Sequence, residues 1–165
     1  MTDCVNTRIS TNFKTTLYMT IDTNQYYQRL EKKINSFSVR LMSDTKWTKV
    51  FKTLSEYYAI INKCLIKDIW DDVLREIDIP SVENYSTTFH NSGIKDVMTG
   101  GPSLFKEIEW IEFPSNWLIE REMRNEKLEP HKRSQDILKI KECLLTIGQL
   151  EIEMTTDKLI LYGYK

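Results

Sequence analysis

Trp47, Val50, Phe51, Leu54, Tyr57, Tyr58 and Ile61 recur at steps of three and four residues, with Lys46, Lys49, Lys52 and Glu56 between them. That period draws one apolar stripe along a helix. It predicts a helix over 44–62, with Ser43 or Asp44 placed to cap its start. A second helix is predicted from Ser134 as N-cap, through Ile137, Leu138, Ile140, Lys141, Leu144, Leu145 and Ile147, to Gly148, which suits a left-handed C-terminal cap. The period then changes to two. Leu150, Ile152 and Met154 alternate with Glu151, Glu153 and Thr155, and after Thr156-Asp157 the chain runs Leu159-Ile160-Leu161-Tyr162-Gly163-Tyr164. This reads as a C-terminal hairpin whose second strand is apolar on both faces and therefore the more central one.

Between these elements the pattern is less decided. Cys64 to Trp70 reads either as a short half-buried strand or as helix continuing through Trp70, Val73, Leu74 and Ile77, and Pro80 ends either one. Residues 80–103, with Gly93, Gly100, Gly101 and Pro102, read as loop with one short strand. Phe105 to Phe113 mixes aromatic, β-branched and acidic residues and stops at Pro114, as a strand would. Strict alternation there sets Ile108 and Trp110 against Ile111 and Phe113, a conflict that a bulge or burial on both faces resolves. Residues 115–133 are strongly charged and read as an exposed connection with a helical turn. The order of elements predicts an α+β fold, a small antiparallel sheet with two main helices packed on one face, in a single domain.

The first forty-one residues differ in kind. They are rich in Thr, Asn, Ser and Tyr, contain neither Gly nor Pro, and show only a weak helical stretch around Tyr26 to Ile34. The expected division is an N-terminal extension over 1–41 and a globular domain over 42–165. The extension is read either as a loosely attached segment, with Met42 an alternative start, or as one added helix over 24–36. Charge follows the same division. Six basic and three acidic residues lie in 1–41, against seventeen basic and twenty-one acidic residues in 42–165. An acidic domain is poor material for phosphate-backbone binding, so nucleic acid is not an expected partner.

Three widely spaced cysteines (Cys4, Cys64, Cys143) argue against a disulfide framework and for a reducing compartment. No apolar run approaches the length that crosses a bilayer. The opening MTDCVNTRISTNFK has no apolar segment of signal type, so a cytoplasmic location and no membrane partner are expected. The two histidines, His90 and His131, have no second ligand at helical spacing. No metal or cofactor is expected. Gly100-Gly101-Pro102 lacks the Lys and hydroxyl of a phosphate-cradling loop and reads as a turn. Cys143 falls among apolar helix positions, and nothing places a histidine beside Cys64, so no catalytic residue is named.

The acids carry more. Glu107, Glu109 and Glu112 fall on one predicted strand, Glu151 and Glu153 on another. As neighbours, those strands put Glu107 and Glu109 on one sheet face with Glu151 and Glu153. Like charges placed across strands are destabilising, which suits a face that a cation or a basic protein partner neutralises. Trp117, in Pro114-Ser115-Asn116-Trp117, is the candidate surface anchor.

Thr45-Lys46-Trp47, the run Glu107-Ile108-Glu109-Trp110-Ile111-Glu112-Phe113-Pro114, the Gly148 segment and the closing Leu161-Tyr162-Gly163-Tyr164 resemble a family of short bacterial proteins known as a domain of unknown function. The resemblance spans 42–165 and carries no catalytic residue with it. At the level of class, the chain is similar to the immunity proteins of polymorphic toxin systems. The expectation is a non-enzymatic cytoplasmic binding protein, such as a toxin-neutralising immunity protein, that covers a basic partner with an acidic face. The alternative is a small carboxylate-dependent hydrolase or nucleotide-handling enzyme, which needs two acids converging in a pocket.

Overall fold

The computed structural model describes residues 12–95, 102–119 and 131–165, with side chains from residue 23 onward. The chain divides after Ser36 into two units. The first holds helix α1 (Asn12–Ile34), longer than the helix expected over 24–36. With neither Gly nor Pro in this stretch, nothing in the sequence breaks it.

The second unit, 37–165, is an α+β domain. It begins five residues before Met42 because the chain there is already tied to the fold. Val39 and Lys165 exchange backbone hydrogen bonds at 2.8 and 3.1 Å, and Leu41 N–H donates to Gly163 at 2.9 Å. Helix α2 (Asp44–Glu56) follows, capped by the Ser43 hydroxyl, which accepts the Lys46 N–H at 3.2 Å. It ends short of the expected 62. A single tight turn follows, and the Asn62 and Lys63 N–H groups are then drawn to another part of the fold.

Residues 64–77 are strand, not helix: β1 (Cys64–Asp68) and β2 (Leu74–Ile77) form an antiparallel hairpin. The turn between them is built by aspartates, whose short side chains hydrogen-bond the backbone just ahead. Asp68 accepts the N–H of Trp70 at 2.7 Å, and Asp71 that of Val73 at 2.9 Å. A short helix, α3 (Tyr85–Thr88), leads into a three-stranded sheet of β3 (Phe89–His90), β4 (Gly93–Ile94) and β5 (Ser103–Leu104). Where one short strand was expected, the described residues hold three very short ones.

The strand expected from Phe105 starts later, as β6 (Ile108–Pro114), because Phe105–Glu107 forms a tight helical turn. Within 115–133 the described residues form a two-stranded arm, β7 (Asn116–Ile119) paired with β8 (His131–Ser134), and the expected helical turn falls on 120–130, outside the described residues. Helix α4 (Ile137–Leu145) is capped by Asp136, which accepts the N–H groups of Leu138 and Lys139, while Ser134 closes β8. Gly148 takes a positive φ of 127° just beyond the helix, a conformation that favours glycine. The hairpin of β9 (Ile152–Met154) and β10 (Lys158–Tyr162) ends the chain as expected.

Five of these strands make one antiparallel sheet in the order β2-β1-β6-β10-β9, with the apolar β10 interior to it. The core lies on one face, where the buried stripes of α2 (Trp47, Val50, Phe51, Leu54) and α4 (Ile140, Leu144) join Ile66, Ile111, Phe113, Leu159 and Leu161. A bulge settles the alternation conflict in β6. Lys67 pairs with Trp110 and Asp68 with Ile108, so Glu109 is the extra residue. The inserted residue lets Ile108, Ile111 and Phe113 all reach the core, where each is fully buried.

Candidate functional site

The register fixes what the opposite face of the sheet presents. One row reads Glu76, Leu65, Glu112, Ile160, Glu153 across all five strands, and the next reads Leu74, Lys67, Trp110, Tyr162 across four. Glu112 and Glu153 thus share a row, two strands apart. Glu109, lifted by the bulge, forms an ion pair with Lys67, which also lies 4.7 Å from the centre of the Trp110 ring. Lys158 pairs with Glu112 at 3.0 Å, Lys165 with Glu151 at 2.5 Å, and the Tyr162 hydroxyl donates to Glu153 at 2.9 Å. Burial first, and then that hydrogen bond and the carboxylates around it, push the Tyr162 hydroxyl up from its usual range.

Glu107 is not on the strand and not on this face. It lies in the turn before β6 and is buried, accepting the Trp70 indole N–H at 2.7 Å and the Leu104 N–H at 2.7 Å. The sequence therefore places Glu109, Glu112, Glu151 and Glu153 around the outer face, but each meets a cation or a hydroxyl of its own chain. Glu109, Glu112 and Glu151 are each answered by a lysine, whereas Glu153 meets the neutral Tyr162 hydroxyl and keeps its charge.

The sixth expected residue, Trp117, stands elsewhere. Together with Asn62, Lys63, Glu76, Leu118, Ile119, Arg133 and Ser134 it lines a cleft of about 480 Å³ between the β1–β2 edge of the sheet and the β7–β8 arm. Lys63 and Glu76 pair at 3.0 Å on the sheet side, and the Lys63 ammonium lies 5.9 Å from the centre of the Trp117 ring. On the arm, Trp117 is paired across strands with Arg133, Leu118 with Lys132 and Ile119 with His131. Leu118 is 63% exposed and Ile119 41%. Residues 120–130, which join the two strands, lie outside the described residues, as does the Gly100-Gly101 turn.

Gln135 holds this cleft at its base. Its carbonyl accepts the N–H groups of Asn62 (2.9 Å) and Lys63 (3.0 Å), and its amide donates to the carbonyls of Lys63 and Pro114, both at 2.8 Å. One buried side chain thereby satisfies four backbone groups and ties the entry to β1, the exit from β6 and the root of the arm together. Asn62 and Ser134 add a 3.5 Å contact beside it. Sequence reasoning missed Gln135, Lys63 and Arg133. No local pattern marks Gln135, whose partners lie 21 to 73 positions away.

Burial pushes the Cys64 thiol well up, and Cys143 is raised as well, so neither is poised as a thiolate nucleophile. His90 Nδ1 accepts the Ser92 N–H at 3.3 Å within its own turn, and His131 is exposed on β8. Among the described residues no three His, Cys, Asp or Glu side chains converge as metal ligands, and no helix is long and apolar enough to cross a membrane. Comparison with protein-family models, with curated proteins and with solved structures returns no match.

Proposed function

We propose that the chain is a non-enzymatic protein-binding module that meets its partner at the β7–β8 arm and the cleft beneath it. The observation that carries this reading is the row Trp117, Leu118 and Ile119. It is an aromatic residue lining a cleft, followed by two exposed apolar residues, on an arm whose strands, among the described residues, pair only with each other. Aromatic anchors in preformed pockets dominate binding energy at protein interfaces, and the Gln135 bracket spares the arm an ordering cost on association. A toxin-neutralising role is the finer form of the same reading and rests on the resemblance of class.

The test is a photo-crosslinking residue in place of Leu118 in the full chain, followed by titration of the purified partner it traps. Trp117→Ala should weaken that complex by about tenfold or more, while Lys139→Ala, on the exposed side of α4, leaves it unchanged. Equal affinity of the Trp117→Ala and parent chains would reject the reading.

A further inference from the structure

The charges of the cleft run against those of the domain around it. The domain carries an excess of acids, yet the cleft holds two cations, Lys63 and Arg133, against one carboxylate, Glu76. That carboxylate is already committed to Lys63 at 3.0 Å. Among the described residues no carboxylate lies within ion-pair distance of Arg133, and the other residues of β8 are His131, Lys132 and Ser134. A guanidinium presents a planar fork that matches a carboxylate at two points. Here it stands across the strand pair from Trp117, with the apolar Leu118 and Ile119 beyond.

We propose that the cleft takes an acidic peptide segment of the partner protein, with an Asp or Glu carboxylate on Arg133 and flanking apolar side chains against Trp117, Leu118 and Ile119. The inference rests on the protein-binding reading above and names its chemistry. A volume of about 480 Å³ suits a few side chains, in the range where concave sites bury small ligands. The carboxylate fixes register and orientation, and the apolar neighbours supply the burial. This inverts the partner charge expected from sequence, because Glu109, Glu112 and Glu151 are paired with lysines within the chain, while among the described residues no carboxylate pairs with the guanidinium in the cleft.

The experiment selects a displayed random nonapeptide library on the immobilised full chain and titrates the enriched peptides in solution. The expected result is enrichment of Asp or Glu flanked by apolar residues. Binding should fall about tenfold or more in Arg133→Gln, an exposed substitution whose fold is checked by circular dichroism, and should stay within about twofold in Lys139→Ala. Enrichment of basic peptides, failure to enrich any sequence, or equal binding by Arg133→Gln would overturn the proposal. Glutarate displacing the selected peptide at equal concentration would also overturn it, by showing an anion site that does not read a peptide. The two readings fail separately. A partner trapped through Leu118 with no acidic selection rejects this inference alone, whereas acidic peptides bound by an arm that traps no Trp117-dependent partner reject the protein-binding function.

Discussion

The side-chain amide of Gln135 grips both main-chain groups of Lys63, accepting its N–H at 3.0 Å and donating to its carbonyl at 2.8 Å, as a neighbouring strand would. The residue is buried and its four bonds are partly buried, so removing it leaves four backbone groups at once without their partner. Gln135→Ala should therefore lower unfolding free energy by about 2–4 kcal/mol, several times the value of one ordinary hydrogen bond. Gln135→Leu keeps most of the volume and should cost as much, which separates lost hydrogen bonding from a cavity. Urea titration of both variants is the check. A cost for Gln135→Leu well below that for Gln135→Ala would assign the effect to packing.

Lys67 is another polar group held inside the fold, with a side chain 9% exposed, in an ion pair with Glu109 and over the face of Trp110. Removing one partner of such a pair strands the other charge in poor solvent. Lys67→Met should cost about 2 kcal/mol, and Lys67→Met combined with Glu109→Gln should cost less than the sum of the two single changes. A double-mutant cycle should give a coupling of about 1–2 kcal/mol. Additive costs would mean that the pair is screened and the lysine acts through its other contacts, Asp72 at 3.4 Å, the Asp68 carbonyl at 3.3 Å and the Trp110 ring, the last a cation–π term of about 0.5–2 kcal/mol.

How far the sequence went follows the range of the interactions involved. Helix α2, the buried stripe of α4 and the β9–β10 hairpin were legible because period and turn residues are local signals, and the central place of β10 followed from its apolar residues on both faces. The β6 conflict was visible as a conflict, but its resolution needed the register against β1, which sets Glu109 outside the ladder. The β1–β2 hairpin was ambiguous because Trp70, Val73, Leu74 and Ile77 also fit a helix. The deciding aspartates, Asp68 and Asp71, act through hydrogen bonds that the apolar pattern does not encode. Of the cleft, Trp117 was singled out in the sequence and the residues around it were not. The cleft depends on Gln135 joining segments far apart in sequence, and the glutamates drew notice while the lysines that answer them, at 67, 158 and 165, come from other strands or from the chain end.

Gly163 sits where no side chain fits. A Cβ built there would lie 2.4 Å from the Ile108 carbonyl oxygen, 3.0 Å from the Trp47 ring and 3.1 Å from the Glu109 carbonyl oxygen. Two of these are backbone atoms of the bulged strand, which also receive or flank the Gly163 N–H bond to Glu109 at 2.7 Å. Gly163→Ala should cost about 2–3 kcal/mol through overpacking, seen as a lower denaturation midpoint with an unchanged urea slope. Gly148→Ala meets open space but carries the strain of a positive φ, and should cost about 1 kcal/mol. A harmless Gly163→Ala would mean that the Tyr164 end of the chain can move away from β6.

Cys64 makes stability depend on alkaline pH in a direction that follows from its burial. Its thiol titrates above the ordinary value of 9.0 in the folded chain, because burial disfavours the thiolate and Glu76 adds to that. The native state therefore holds the proton that the unfolded state gives up. The contribution is fully present below the unfolded pKa and falls as pH rises beyond it, by about 1.4 kcal/mol for each pH unit. Cys64→Ala lacks this proton. It should be less stable than the parent at pH 7, by about 1–2 kcal/mol for the lost sulfur contact, and the gap should close by about 1 kcal/mol between pH 9 and pH 10. Urea unfolding of both chains at half-unit steps of pH measures it. A constant gap across that range would show that the thiol reaches solvent before the domain unfolds.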